Sequence, residues 1–296
     1  MRIRARAGLL LTVGAVVALT VPTVASAQSS APEAVCGTPL SDAELGDIAR
    51  LSDISEVSGD TLTRLETAVA RLHTITGILV EHRDRRGLFG IGLDAVEQSA
   101  VMPLQEDPGA FQDPEYAHRI SLELLGRYLR NLHAEFTGGA VDPQWARYFD
   151  LAAQCDISGA RAAMAGYNAH LVVDLANSVA AVGSQTGNAA DYFKIVATIA
   201  AAGDEIIDRT ETVYNADLGP LWRFYFFGEG LDLLAGKGMA TRPLLVFADL
   251  SANVVIFGNG LALQDPTLHD ATTTEISALY GTADTAFDIL TRLHAL

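Results

Sequence analysis

Almost every motif that would name a reaction is missing from this 296-residue sequence. It has no Gly-x-Ser-x-Gly elbow, which removes the α/β-hydrolase fold from consideration. The Gly-x-Gly segments at 90–92, 228–230 and 258–260 lack the preceding strand that a dinucleotide or phosphate loop requires. No Asn-Gly or Asp-Gly turn separates two alternating runs, so hairpins have no signal. No Ser/Gly-rich or Pro-rich tract divides the chain and no 20–50-residue period repeats, which argues against linkers and solenoids. Basic side chains are few, 20 against 36 acidic ones. Such a surface repels phosphates and anionic lipid, so no nucleic-acid partner and no electrostatic membrane docking are expected.

What is present begins at the N-terminus. Arg2, Arg4 and Arg6 precede the apolar run AGLLLTVGAVVALTV, and Ala25-Ser26-Ala27 has the small-residue pattern of a cleavage site. Residues 1–27 therefore read as a secretory signal peptide, with the mature chain starting near Gln28. Removing three arginines and no acids leaves 17 basic and 36 acidic side chains, a net charge of −19. After cleavage no integral membrane anchor is expected, because no later run is long and uniformly apolar. The expected location is secreted or in the cell envelope. Two cysteines, Cys36 and Cys155, are expected to pair in that oxidising compartment.

The remaining chain reads as a 28–59 N-terminal segment followed by a single all-α domain over 60–296. Asp60 can cap a helix whose apolar residues recur at spacings of three and four and which stops at Gly87. Asp113-Pro114 and Asp142-Pro143 each set a capping carboxylate before a proline at the first helical position. These start helices over 114–136 and 143–154, and Ser158 caps the next, which ends near Gly183. Further helices are expected over 189–214, 219–235, 243–264 and 272–295. The sum is a bundle of roughly eight helices, with 159–182 and 243–264 at the centre because they are apolar on nearly all faces.

Polar residues inside such helices need partners. In the stretch GYNAHLVVDLA, residues 166–176, Tyr167, His170, Asp174 and Asn177 follow a three-four-three spacing that places them on one helical face. Asp249 and Asn253 are four apart on the second central helix, and Asp204, Asp208 and Glu211 share a face between the two. A carboxylate one turn from an imidazole can hold its tautomer and raise its pKa, which suits a general base or acid. The same pair can instead be a buried, self-satisfied structural couple. Arg86, in EHRDRRGLFGIG, is a candidate clamp for a substrate anion, although a solvated helix end with cations near the negative pole of the dipole is the better default there.

The segments EYAHRISLELLGRYLRNLHAEFTGG, PQWARYFDLAAQC and AGYNAHLVVDLANSV resemble an uncharacterised actinobacterial family of helical proteins with an Asn-Ala-His-Ile-Asn-x-Asp-Leu signature. The resemblance spans residues 105–182. Asn168, His170 and Asp174 match the signature position by position, whereas Val172 stands where the pattern has Asn. The resemblance implies positions and no reaction. His-x3-Asp is also locally similar to a motif of zinc-dependent phospholipases C, whose trinuclear site uses an N-terminal Trp and several more histidines. Here the chain is expected to start with Gln, and no other His has an acid four residues on, so the trinuclear site is rejected, and a metal-binding reading of His170 and Asp174 needs a third ligand that the sequence does not supply.

Two functions follow from these residues. In the first, an exported small hydrolase uses His170 as general base, Asp174 to orient it and Asp208 to assist, with Asn168, Asp249 and Arg86 holding a small-molecule substrate. In the second, a non-catalytic binding or envelope protein keeps the His–Asp pair as structure. No cofactor is indicated by either. N-terminal sequencing of the exported protein should begin near Gln28; a mature protein that keeps Met1 would remove the cleaved-signal reading.

Overall fold

Several helices start where a capping side chain meets apolar residues spaced by three and four. The computed structural model describes residues 36–219 and 242–292, apart from the side chains of 242–251. The signal-peptide reading and the helix expected over 219–235 lie outside the described residues. The described residues belong to one compact unit, Ala31–Leu296. In chain order the helices are α1 (Asp42–Ser52), α2 (Thr61–Glu81), α3 (Leu88–Val96), α4 (Met102–Gln105), α5 (Pro114–Thr137), α6 (Pro143–Ala152), α7 (Gly159–Asn168), α8 (Leu175–Ala181), α9 (Ala189–Ala201), α10 (Gly203–Tyr214), α11 (Arg242–Ala262) and α12 (His269–Arg292). A π turn over Glu97–Val101 joins α3 to α4, and a second over Ala169–Asp174 joins α7 to α8. Joined in this way they make ten continuous helices among the described residues, in place of the eight expected.

The difference has local causes. Ser41 and Glu44 form a reciprocal capping box that starts α1 inside the segment read as non-helical. The run LFGIGLDAVEQSAV, for which no helix is expected, is helical, and buried from Leu88 to Glu97. The 189–214 helix is broken at Ala202, leaving α9 and α10 separate. Asp60, Asp113 and Ser158 cap α2, α5 and α7 as expected, accepting from the amides of Thr63, Tyr116 and Arg161. Asp142 caps nothing with its side chain: its carboxylate accepts from Asn131 Nδ2 at 3.0 Å, while its amide donates to Asn131 Oδ1 at 2.7 Å. The reciprocal pair fastens the start of α6 to α5.

Helix α7 is central, buried from Ala160 to Asn168 and packed against α3, α6 and α12. Among its described side chains helix α11 is exposed at Val254 and Val255, and the helix packs against α8 and α9. The apolar interior divides into two clusters. One gathers α1, α2, α3, α5, α6 and α7 around Phe89, Tyr128, Trp145 and Tyr148; the other joins Tyr116, Val179, Tyr192, Phe257 and Ile276 from α5, α8, α9, α11 and α12. Gly90 and Gly92 let α3 approach closely, since a Cβ at Gly92 would lie 1.9 Å from the Tyr167 hydroxyl. The π turn at 169–174 bridges the clusters, with Ala169 in the first and Val172 in the second.

Cys36 and Cys155 form the expected disulfide, with Cα atoms 5.4 Å apart, tying the start of the described chain to the end of α6 across 119 residues. No helix among the described residues is long and apolar enough to cross a membrane. Closing a loop of this length restricts the unfolded chain, so replacing both cysteines with serine should lower the unfolding free energy by about 3–5 kcal/mol in urea titrations. A loss below about 1 kcal/mol would show that closure entropy is not what the bridge contributes.

Candidate functional site

Residues 159–181 run as one rod, but its hydrogen bonding changes register in the middle. The Leu175 amide donates to the His170 carbonyl, five residues back instead of four. Such a wide turn uses one extra residue, so side chains beyond it lag those before it by about 100°. The stripe expected from Tyr167 to Asn177 is thereby split. Tyr167 and His170 line a cavity on one side, and Asn177 lines a groove on another.

The His170–Asp174 couple does not form. The Asp174 carboxylate, 1% exposed, accepts from Trp145 Nε1 at 2.7 Å and from Gln144 Nε2 at 3.1 Å, both on α6. Burial pushes this carboxyl up to about 6, against the lowering effect of the two donors. His170 packs instead on Phe89, ring centroids 5.0 Å apart, and on Trp145 at 6.4 Å. Its Nδ1 is buried with no hydrogen-bond partner in the protein. Burial pulls its pKa down to about 3, so the ring is neutral at ordinary pH. Leaving such an atom unpaired costs about 1–3 kcal/mol, which makes the position a candidate for an external partner.

The cavity that His170 lines has a volume of about 80 Å³. It lies at the seam between the clusters: Phe89, Leu93 and Val96 of α3 and Tyr167 of α7 come from one, Ile120, Leu175, Tyr192, Ile195 and Val196 from the other. Ser121, His170 and Asn253 add polar atoms. The Ser121 hydroxyl accepts from Gln105 Nε2 at 2.9 Å, and Tyr192 donates to Asn253 Oδ1 at 3.3 Å. The site is an apolar space with a few polar points.

The other candidate residues are scattered. Asn168 is fully buried beside the π turn, donating from Nδ2 to the Tyr280 carbonyl at 3.0 Å, and its Oδ1 has no partner. Asp208 is exposed, as are Asp204 and Glu211, because α10 turns Gly203, Ile206 and Thr210 towards the interior and its acidic stripe towards water. Asp208 therefore does not join the cavity. Asp249 lies in α11, with its side chain outside the described residues. Arg86 is 1% exposed and holds the fully buried Asp84 through Nε and Nη2, with its guanidinium 4.1 Å above the Phe136 ring. Two of the three guanidinium nitrogens are thus engaged by a carboxylate of the same chain.

Sequence reasoning passed over Glu97 and the role of Trp145. Glu97, in the other π turn, is buried, its Oε2 has no hydrogen-bond partner, and burial with the nearby Asp94 charge pushes its carboxyl up to about 8. The signal was available, since an acid inside LFGIGLDAVEQSAV is as anomalous as a His inside GYNAHLVVDLA. No local pattern could have assigned Trp145 to Asp174, 29 residues away.

No group of three or more His, Cys, Asp or Glu side chains arranged to hold a metal occurs among the described residues. Residues 65–235 match the family of unknown function DUF5995, extending on both sides of the 105–182 stretch that carries the motif. No curated protein and no solved structure matches the chain.

A histidine whose folded pKa lies below its unfolded value contributes stability that is present above about pH 6.5 and lost as pH falls towards 3. His170→Gln should therefore lose less stability than the wild type between pH 6.5 and 4, by about 3 kcal/mol at pH 4. Parallel pH–stability curves for the two proteins would mean that His170 is not buried neutral.

Proposed function

The chain belongs to this family of unknown function, and from its interior we propose that it is a binding protein for a small, uncharged, apolar molecule bearing one hydrogen-bonding group. The observation that carries this reading is the seam cavity, apolar on most of its surface and lined by a histidine whose Nδ1 is unpartnered. Pockets that take small ligands combine apolar walls with a few placed polar groups. An apolar cavity stays dry and takes up an apolar guest because water finds too few partners there. A short alkyl chain suits a volume of about 80 Å³.

Hydrolysis is less well supported by the same atoms. A general base works best with a pKa near the operating pH and an oriented ring. His170 is held far below that pH, and the carboxylate expected to orient it is engaged by Trp145 and Gln144. The disulfide suits an oxidising compartment, which supports an exported binding protein.

Thermal melting with short-chain alcohols and phenol tests the proposal. A bound probe at about one hundred times its Kd should stabilise the wild type by about 2.7 kcal/mol. Val196→Phe or Ile199→Phe, which fill the cavity, should remove that effect. If no probe raises the wild-type Tm above that of the filled variants, the cavity is packing space and the proposal fails.

A further inference from the structure

A groove of about 450 Å³ lies on the other side of the π turn, between α6, α8 and α12. Its polar side chains are oriented by bonds inside the protein. Gln144 donates Nε2 to the Asp174 carboxylate, which can only accept when ionised, so the amide oxygen is left for the groove. Asn177 donates Nδ2 to the Val173 carbonyl at 2.8 Å, which likewise leaves its Oδ1. The hydroxyls of Thr273 and Ser277 donate at 2.9 Å to carbonyls one turn back on α12, and only their lone pairs remain. Four groups thus present acceptors, and each of the two amides keeps one further N–H donor.

The charges beside them cancel. Arg147 donates to Asp284 at 3.1 Å and to Asp288 at 3.3 Å, and the buried Arg161 binds the same two carboxylates. Two guanidinium groups face two carboxylates, so neither an anion nor a cation meets an unbalanced charge. Tyr280 completes the wall, its hydroxyl donating to the Gln144 carbonyl at 3.3 Å and fixing the ring at the groove.

We propose that this groove binds a neutral saccharide. A sugar carries many hydroxyl donors for oriented acceptors, no charge, and apolar C–H faces that rest on an aromatic ring. The volume falls within the range of small-ligand sites, roughly 300–1,000 Å³. Asp174 acts here as a positioning residue, holding Gln144 from behind while Trp145 holds Asp174. The groove and the seam cavity share no lining residue, so each proposal stands without the other.

Saturation-transfer NMR on the full chain, with neutral pentoses, hexoses and disaccharides at millimolar concentration and glucosamine and glucuronic acid as charged controls, decides the matter. Neutral sugars should give transfer, and Gln144→Ala with Asn177→Ala should weaken binding by at least about tenfold. Ser277 is exposed, so Ser277→Trp should fold normally and block the groove. The far-ultraviolet spectrum and Tm of each variant verify folding. Absence of transfer from every neutral sugar, undiminished transfer in a folded Ser277→Trp protein, or equal transfer from the charged controls would overturn the proposal.

Discussion

The hydrogen bond from the Trp145 indole to the Asp174 carboxylate is the contact on which the rest of the interior depends. It joins α6 to the π turn at the point where the two apolar clusters meet, and both groups are almost fully buried. A buried carboxylate is costly unless it is hydrogen-bonded, and here each of its oxygens accepts from one neutral donor. By drawing Asp174 towards α6, this contact leaves His170 to the opposite side and to Phe89. One polar commitment thereby sets the character of two spaces, the apolar cavity beside His170 and the polar groove beside Gln144.

The packing around Phe89 explains why the cavity sits where it does. Its ring meets Tyr128, Trp145, Tyr167 and His170 at centroid separations of 4.8–5.1 Å, a density of aromatic contacts that holds α3, α5, α6 and α7 together. The second cluster has its own aromatic contacts, Tyr192 with Phe193 and Phe257. Two separately well-packed regions meet with imperfect complementarity, and aliphatic side chains of α3, α5 and α9 line the space between them. Both π turns lie beside this seam, each carrying a buried titratable side chain with an unpaired atom, Glu97 and His170. Such turns recur at functional positions because the extra residue redirects a side chain without ending the helix.

Ion pairs tie separate segments of the bundle together. Arg86 with Asp84, and Arg161 with Asp284 and Asp288, fix the α2–α3 corner and the approach of α12 to α7. Burying such charges offsets much of the attraction they gain, whereas removing one partner of a buried pair leaves an uncompensated charge and is costly. Arg161 reads locally as an ordinary first-turn residue of α7, and its partners lie more than 120 residues on. Likewise nothing near EHRDRRG distinguishes an exposed cationic helix end from a guanidinium closed over its neighbour's carboxylate.

Local chemistry determined a good deal. Asp60, Asp113 and Ser158 started their helices because capping concerns only the next three residues, and the two cysteines had only each other. The anomalous polar residues of GYNAHLVVDLA lie between the cavity and the groove. Tertiary structure decided which way each of them faces. The helical wheel put His170, Asp174 and Asn177 on one stripe, but the wheel assumes an unbroken α register, and the wide turn at 169–174 breaks it. That turn packs on Phe89 and accepts from Trp145, residues distant in sequence, and Asp208 faces outward because the opposite side of α10 packs on α3. A side chain's neighbours along a helix follow from spacing, whereas its partners across the interior follow from packing, which no single segment encodes.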